Sequence, residues 1–357
     1  MELMNKGEFK VKKIQIVPLI ISLAIVMVIA LVFSGCSGAK AELITYKFGY
    51  DTPPTTNLGV PVEYFAKEVN TRLAGRVKVE TYPAGTLSSQ GTGLENVRSG
   101  VADAYVFSFG ANLKAFPIMN FTSLPGLNFY PDTVKDMEKE VATMQAILAK
   151  YPAAQEECKG LKLLWSNTYS TAVYMGTKKI STPDDIKGLK IGCDGMRQEV
   201  TSTLGGVPVF TIPPQMYQQL QTNLCDGVLV AWGAAMDWQL QEQVKYALDW
   251  SFGGSQMPIF MNEKSFNKMT KQDQQVFLEI ATKAGAVNRD EVYRVIPESK
   301  QKFAAAGVQI YTLTDAQKKL WMDKYAIVWQ QYLNTNKGVK DIQSIFNDWK
   351  NAVEAPR

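Results

Sequence analysis

The residues able to do chemistry in this chain are few, and their types exclude most catalysis. There is no His, which removes the usual general base, the usual zinc ligand and every Ser-His or Cys-His nucleophile pair. The visible acids are Asp184-Asp185 and Asp226. Adjacent carboxylates on a turn cap a helix by accepting its free N–H groups, and no paired Glu, metal cluster or nucleophile elbow accompanies them. The Gly-rich stretch from Gly85 to Gly93 lacks the Lys-Ser/Thr of a phosphate loop. These residue types point away from an enzyme, and no cofactor or metal is expected.

After Cys36 only Cys158, Cys193 and Cys225 remain, without C-x-x-C spacing, so a zinc knot or a disulfide-dense scaffold is not expected. Two readings stay open for Cys193 and Cys225: one disulfide between adjacent strands, or two buried thiols.

The first 35 residues are a different material. Lys6, Lys10, Lys12 and Lys13 precede an uncharged run from Ile14 to Phe33, then Ser34-Gly35-Cys36. A basic region, an apolar run and small residues in that order form a targeting segment. Cys36 after Ser-Gly reads as a lipobox whose thiol is acylated and becomes the new N-terminus; an uncleaved anchor is the rival, because ~20 apolar residues span a bilayer. Either way the soluble part lies outside the cytoplasm. The segment holds four Lys and two Glu, so its removal lowers the formal charge from +4 to +2, too little to argue for nucleic acid.

With 357 residues the chain exceeds the usual single-domain size, and two lobes are expected. Tyr46 to Tyr50 alternates as a strand, and Val62, Phe65, Ala66, Val69 and Leu73 form the apolar stripe of a helix. Val77 to Thr81 alternates again, which makes a βαβ opening. A short helix with Leu94, Val97 and Val101 then precedes Asp103 and the apolar strand Ala104 to Phe107. The same order recurs later: a helix holding Met216 and Leu220, then Asp226-Gly227, then Val228 to Ala231. A repeated α/β unit implies two similar lobes. Between them lie a strand at Leu161 to Trp165, a crossing strand at Ala172 to Gly176, and a helical turn from Pro183 to Gly188. The last hundred residues are mainly helical, with a strand near Val308 to Leu313 and a capping box, Thr314 and Gln317, opening a long helix.

Taken in order, four stretches resemble the solute-binding subunit of a TRAP (tripartite ATP-independent periplasmic) transporter. They are Phe65 to Val69 with Gly75 to Glu80; Tyr82 to Leu87; Gly100 to Asp103; and Pro183 to Ile191, followed by Met216-Tyr217 and Asp226-Gly227. The resemblance implies an α/β, two-lobe periplasmic-binding-protein fold with a ligand cleft between the lobes and a long connecting helix. It implies capture of one small organic acid and delivery to membrane permease subunits, with an Arg meeting the carboxylate bidentately. The sequence departs from the family at that Arg, where Gly192 stands; a second basic position falls near Ala172, an Asn position at Val230, and the Pro-rich turn carries Pro213 and Gln215.

Two explanations follow. Either Arg197 moves into the place left by Gly192, with Arg98 a weaker substitute, or the ligand is neutral or largely apolar. Aromatic residues gather at strand ends, and the ligand-binding candidates are Tyr50, Gln90, Phe109, Tyr169, Gly192, Arg197, Gln215 and Trp232, with Cys36 as the lipidation site. The expected organisation is a signal peptide over 1–35, a linker over 36–45, lobe I over 46–165, lobe II over 166–260, and C-terminal helices with a returning strand over 261–357. The expected state is a monomeric periplasmic lipoprotein that binds a small molecule and a permease and no nucleic acid. The rival is a ligand-sensing lipoprotein that feeds a signalling receptor.

Overall fold

A computed structural model describes residues 42–127 and 134–355; the targeting segment and Cys36 lie outside the described residues. Alternation over the first described residues produces β1 (Ile44–Gly49), with Tyr46 and Phe48 buried. Against it α1 (Gly59–Arg72) lays Val62, Phe65, Ala66 and Val69, the stripe read from the sequence. With β2 (Val77–Tyr82), α2 (Gly93–Ser99) and β3 (Ala104–Val106), the chain completes a βαβαβ unit in which β2 and β3 both run parallel to β1. Helices α3 (Val134–Lys150) and α4 (Pro152–Glu157) lead into β4 (Leu161–Gly176).

A second βαβαβ unit follows, made of β5 (Lys190–Cys193), α5 (Met196–Thr203), β6 (Val207–Phe210), α6 (Pro213–Gln221) and β7 (Gly227–Ala231), again with both outer strands parallel to the first. The chain returns through α7 (Trp232–Asp237), β8 (Tyr246–Leu248), β9 (Gly254–Asn262) and α8 (Glu263–Phe266) to α9 (Lys271–Ala305). It closes with β10 (Gln309–Tyr311), α10 (Asp315–Thr335) and α11 (Ile342–Glu354).

The strand path β2-β1-β3-β9-β4-β7-β5-β6 shows the duplication. From the first edge the order is β2-β1-β3 and then antiparallel β9; from the other edge it is β6-β5-β7 and then antiparallel β4. Two similar α/β lobes result, each lending the other a strand beside its third.

One element differs from the sequence reading. Leu161–Trp165 and Ala172–Gly176 were expected as two strands, and they form one of 16 residues. Residues from Leu161 to Thr171 pair with β9, and those from Ala172 to Gly176 with β7. Register shifts between Leu163 and Trp165 and between Thr168 and Thr171, with Ser170 at φ +83°, let the ribbon turn from one sheet to the other without ending.

The 35-residue α9 spans both lobes. Its Phe277 packs edge-on to Phe65 in the first lobe, and Phe303 packs edge-on to Trp232 in the second. The C-terminal helices grip both halves through buried aromatics whose polar tips find backbone carbonyls: Trp321 bonds Ser181, while Trp329 bonds Pro125 and Trp349 bonds Leu127. Cys158, Cys193 and Cys225 are free thiols.

Candidate functional site

In a parallel sheet flanked by helices, the crevice beyond the carboxyl ends of the strands is the natural ligand site. Here two such edges face each other. In the first lobe β1 and β3 run out at Gly49 and Val106; in the second β5, β6 and β7 run out at Cys193, Phe210 and Ala231. Contact across the seam is close: a Cβ on Gly195 would lie 2.6 Å from the Gly110 carbonyl oxygen, and Gly195 sits at φ +53°. Only glycine permits that approach. Elsewhere along the seam, Asn57 Nδ2 lies 3.7 Å from where a Cβ on Gly233 would stand.

On the first edge, Gln90 donates from Nε2 to the Val106 carbonyl at 3.3 Å and accepts the Ser108 N–H at 2.8 Å, which fixes the loop after β3. Asp51 receives the Tyr105 hydroxyl. Burial pushes the Asp51 carboxyl up, while hydrogen bonds from Tyr105 and Gln90 pull the other way. The Phe109 ring is fully buried against Phe116 and Phe260. Tyr50 is buried too, and its hydroxyl donates to Glu63 Oε1 at 2.5 Å.

On the second edge, Gly192 is packed shut. A Cβ there would come within 2.9 Å of Thr211 Cγ2 and of Val228 Cγ1, and 3.1 Å of Cys225 Sγ. Ala172 and Val230, the other two family positions, are buried and apolar. Arg197 is 17% exposed, and its guanidinium meets the Asp194 carboxylate at the start of α5. Trp232 is buried; its indole donates to Asp249 Oδ1 at 3.0 Å, and Lys300 holds the other Asp249 oxygen at 2.6 Å. Gln215 is exposed on the first turn of α6, and Tyr169 lies in the irregular middle of β4. Arg98 reaches the Glu157 carbonyl at 3.3 Å, on α4.

The structure therefore gathers Gln90, the backbone after Phe109 and the start of the Arg197 helix at one seam. The rings of Tyr50 and Trp232 turn instead into separate cores, one against α1 and one against α9.

A polar group absent from the sequence reading lies where β9 and β4 run between the two edges. Gln256 is opposite Thr168; Gly254, two residues before it, is opposite Thr171, and Ala172 is opposite Ala231 at the end of β7. On its other side the last contact of the β3 segment is Phe107 N–H to Pro258 O. Ser166 Oγ donates to Gln256 Oε1 at 2.6 Å, and Gln256 Nε2 donates to Glu140 Oε2 at 2.7 Å. Glu140 is 5% exposed, its Oε1 has no hydrogen-bond partner, and burial pushes its carboxyl up to about 8. The signal was present in the sequence: Met137, Glu140, Met144 and Ile147 share one helical stripe, and an acid on an apolar stripe is out of place. Nearby, Asn288 of α9 accepts the Thr168 N–H at 2.9 Å and donates to the Asn57 carbonyl at 3.0 Å, tying helix, bent strand and first lobe together. Among the described residues no group of three or more metal-ligating side chains is present.

Comparison with known proteins gives concordant results. Residues 48–336 match the family model DctP, described as bacterial extracellular solute-binding protein, family 7. A solute-binding protein of Chromohalobacter salexigens is 25% identical over 303 residues, covering 84% of this chain and 87% of its own. The 2,3-diketo-L-gulonate-binding periplasmic protein YiaO of Escherichia coli is 25% identical over 303 residues, covering 82% and 86%. A crystal structure of a TRAP periplasmic solute-binding protein from Chromohalobacter salexigens with bound D-glucuronate superposes with a TM-score of 0.76 at 24% identity, over 86% of this chain and 99% of that one.

Proposed function

The chain belongs to bacterial extracellular solute-binding protein family 7, and on that premise we propose that its cleft captures a small organic acid, or a moderately hydrophobic organic ligand, without the family's usual Arg clamp. As a solute receptor of TRAP type, it serves a membrane permease from outside the cytoplasm. The observation that carries the proposal is the packing at Gly192, where Thr211, Val228 and Cys225 fill the space a clamp side chain would need to leave the strand. The arginine nearest that place in sequence is Arg197, which meets a solute carboxylate by exchanging Asp194 for it; charge-assisted pairs of this kind are the strong ones. Two relatives carry acids in their descriptions, 2,3-diketo-L-gulonate for the Escherichia coli protein and D-glucuronate for the Chromohalobacter structure, and this supports an acid as solute.

The test is a thermal-shift series on the purified chain with D-glucuronate, 2,3-diketo-L-gulonate, succinate, phenylacetate and the neutral benzyl alcohol. A solute at a hundredfold excess over Kd stabilises the native state by about 2.7 kcal/mol. A shift with an acid that disappears in Arg197→Ala supports the reading, and a shift with benzyl alcohol alone would replace the acid by a neutral solute. Cys36 as an acylated N-terminus belongs to the same proposal; radiolabelled palmitate incorporation that is lost in Cys36→Ala is the expected result, and a wild-type chain that takes up no label would point to an uncleaved anchor.

A further inference from the structure

We propose that Glu140 is a solute-binding residue, a neutral carboxyl that donates a hydrogen bond to an acceptor oxygen of the captured acid. The proposal rests on the solute-binding reading above. Donation runs in one direction through the group, from Ser166 to Gln256 and from Gln256 to Glu140 Oε2, and it leaves the buried Oε1 without a partner. A buried polar atom without a partner is costly, and native proteins keep few of them without a reason in function or bound solvent. Nothing in the packing of α3 requires an acid here, because Met137, Met144 and Ile147 on the same stripe are buried and apolar.

Position supplies the second argument. Gln256 stands between the carboxyl ends of β3 and β7, one from each lobe, which puts the group it holds between the two strand edges where a ligand of this fold would sit. The charge state supplies the third. An anionic solute beside an ionised carboxylate would be repelled, whereas a protonated carboxyl donates to it through a short O–H···O bond. Burial holds Glu140 in that protonated form near neutrality. Along its own helix the charged neighbours in sequence are Asp136, Glu138 and Lys139, and Arg289 of α9 meets Glu138 at 3.5 Å; the hydrogen-bond partner of Glu140 on β9 is the neutral Gln256, which Ser166 of β4 holds in turn.

A chain without His makes this testable; Glu157, which burial raises to about 7, is largely ionised above pH 8 and leaves the upper part of the range to Glu140. The buried thiols do not intrude: burial pushes Cys193 and Cys225 up to about 11 and Cys158 to about 12. The experiment is calorimetric titration of the purified chain with D-glucuronate at pH 6, 7, 8 and 9.5, repeated with the other acids of the series above. The wild type is expected to bind about thirtyfold more weakly at pH 9.5 than at pH 7, as its donor ionises. Glu140→Gln keeps a neutral donor, so its affinity at pH 7 stays within about threefold and its profile is flat. Glu140→Leu loses at least tenfold at every pH; if that variant does not fold, the Glu140→Gln profile decides alone. Wild-type affinity that is flat across the range, or a Glu140→Gln profile that keeps the wild-type fall, overturns this inference and leaves the organic-acid reading standing. Failure of every acid to bind at any pH overturns both.

Discussion

Asp103 and Asp226 close the two lobes in the same way. Asp103 accepts the Lys47 N–H at 2.9 Å through its carboxylate and donates its own N–H to the Lys47 carbonyl at 3.0 Å. Asp226 does the same to Lys190, at 2.9 and 2.8 Å. Each acid thus pins the turn before the third strand of a lobe to the central strand, and each has a further partner, Ser265 Oγ for Asp103 and Lys178 Nζ for Asp226. Asp103→Ala and Asp226→Ala are expected to cost about 1–2 kcal/mol each in urea unfolding. Because they act in different lobes, the double variant should show the sum to within about 0.5 kcal/mol; a coupling well above that would contradict independent closure.

Gly192→Ala tests the sealed position. With two carbons 2.9 Å from the new methyl, overpacking is expected to lower stability by about 1–3 kcal/mol. Trimming the neighbour in Gly192→Ala/Val228→Ala should recover part of the loss. A Gly192→Ala chain as stable as the wild type would show that the strand yields easily and that a longer side chain could be housed.

Gly195→Ala tests the seam. The residue at φ +53° would be strained by a side chain, and its methyl would strike the Gly110 carbonyl. The expected outcome is at least a tenfold rise in the Kd of any acid that binds the wild type, with a larger radius of gyration in small-angle scattering. Unchanged affinity would mean that this approach of the two lobes plays no part in capture.

Stability should fall as pH rises across neutrality. Burial raises Glu140 to about 8 and Glu157 to about 7, both above the ordinary 4.5. A carboxyl whose folded value is raised contributes stability that is fully present below the unfolded value and is lost as pH climbs through the folded one. Melting temperatures measured from pH 4.5 to 9 are therefore expected to decline above pH 5, and Glu140→Gln to flatten the upper part of that decline. A profile that rises over this range would contradict the assignment.

Local periodicity made much of the fold legible. The stripe from Val62 to Val69, the acid turns at Asp103 and Asp226, and the capping box at Thr314 and Gln317 each depend on neighbours within a few residues, and all stand in the structure. The continuity of β4 was hidden, because its bend is made by register shifts and a non-glycine residue at positive φ, and neither leaves a turn signature. The directions of Tyr50 and Trp232 were hidden for a related reason. A side chain just past a strand end faces either the crevice or the helix layer, and here α1 and α9 claim both rings. Glu140 is legible in the sequence as the one acid on the stripe of Met137, Met144 and Ile147.

The lending of β9 to the first lobe also sets the order in which the molecule can be built. Tyr105 pairs with Phe260, so the first sheet lacks its fourth strand until most of the chain has been made. Contacts so distant along the chain delay folding, because the intervening loop must be closed before they reward it. The first sheet can lock only once the trailing strand, Gly254–Asn262, is available to pair with β3, so its closure belongs to the late part of folding.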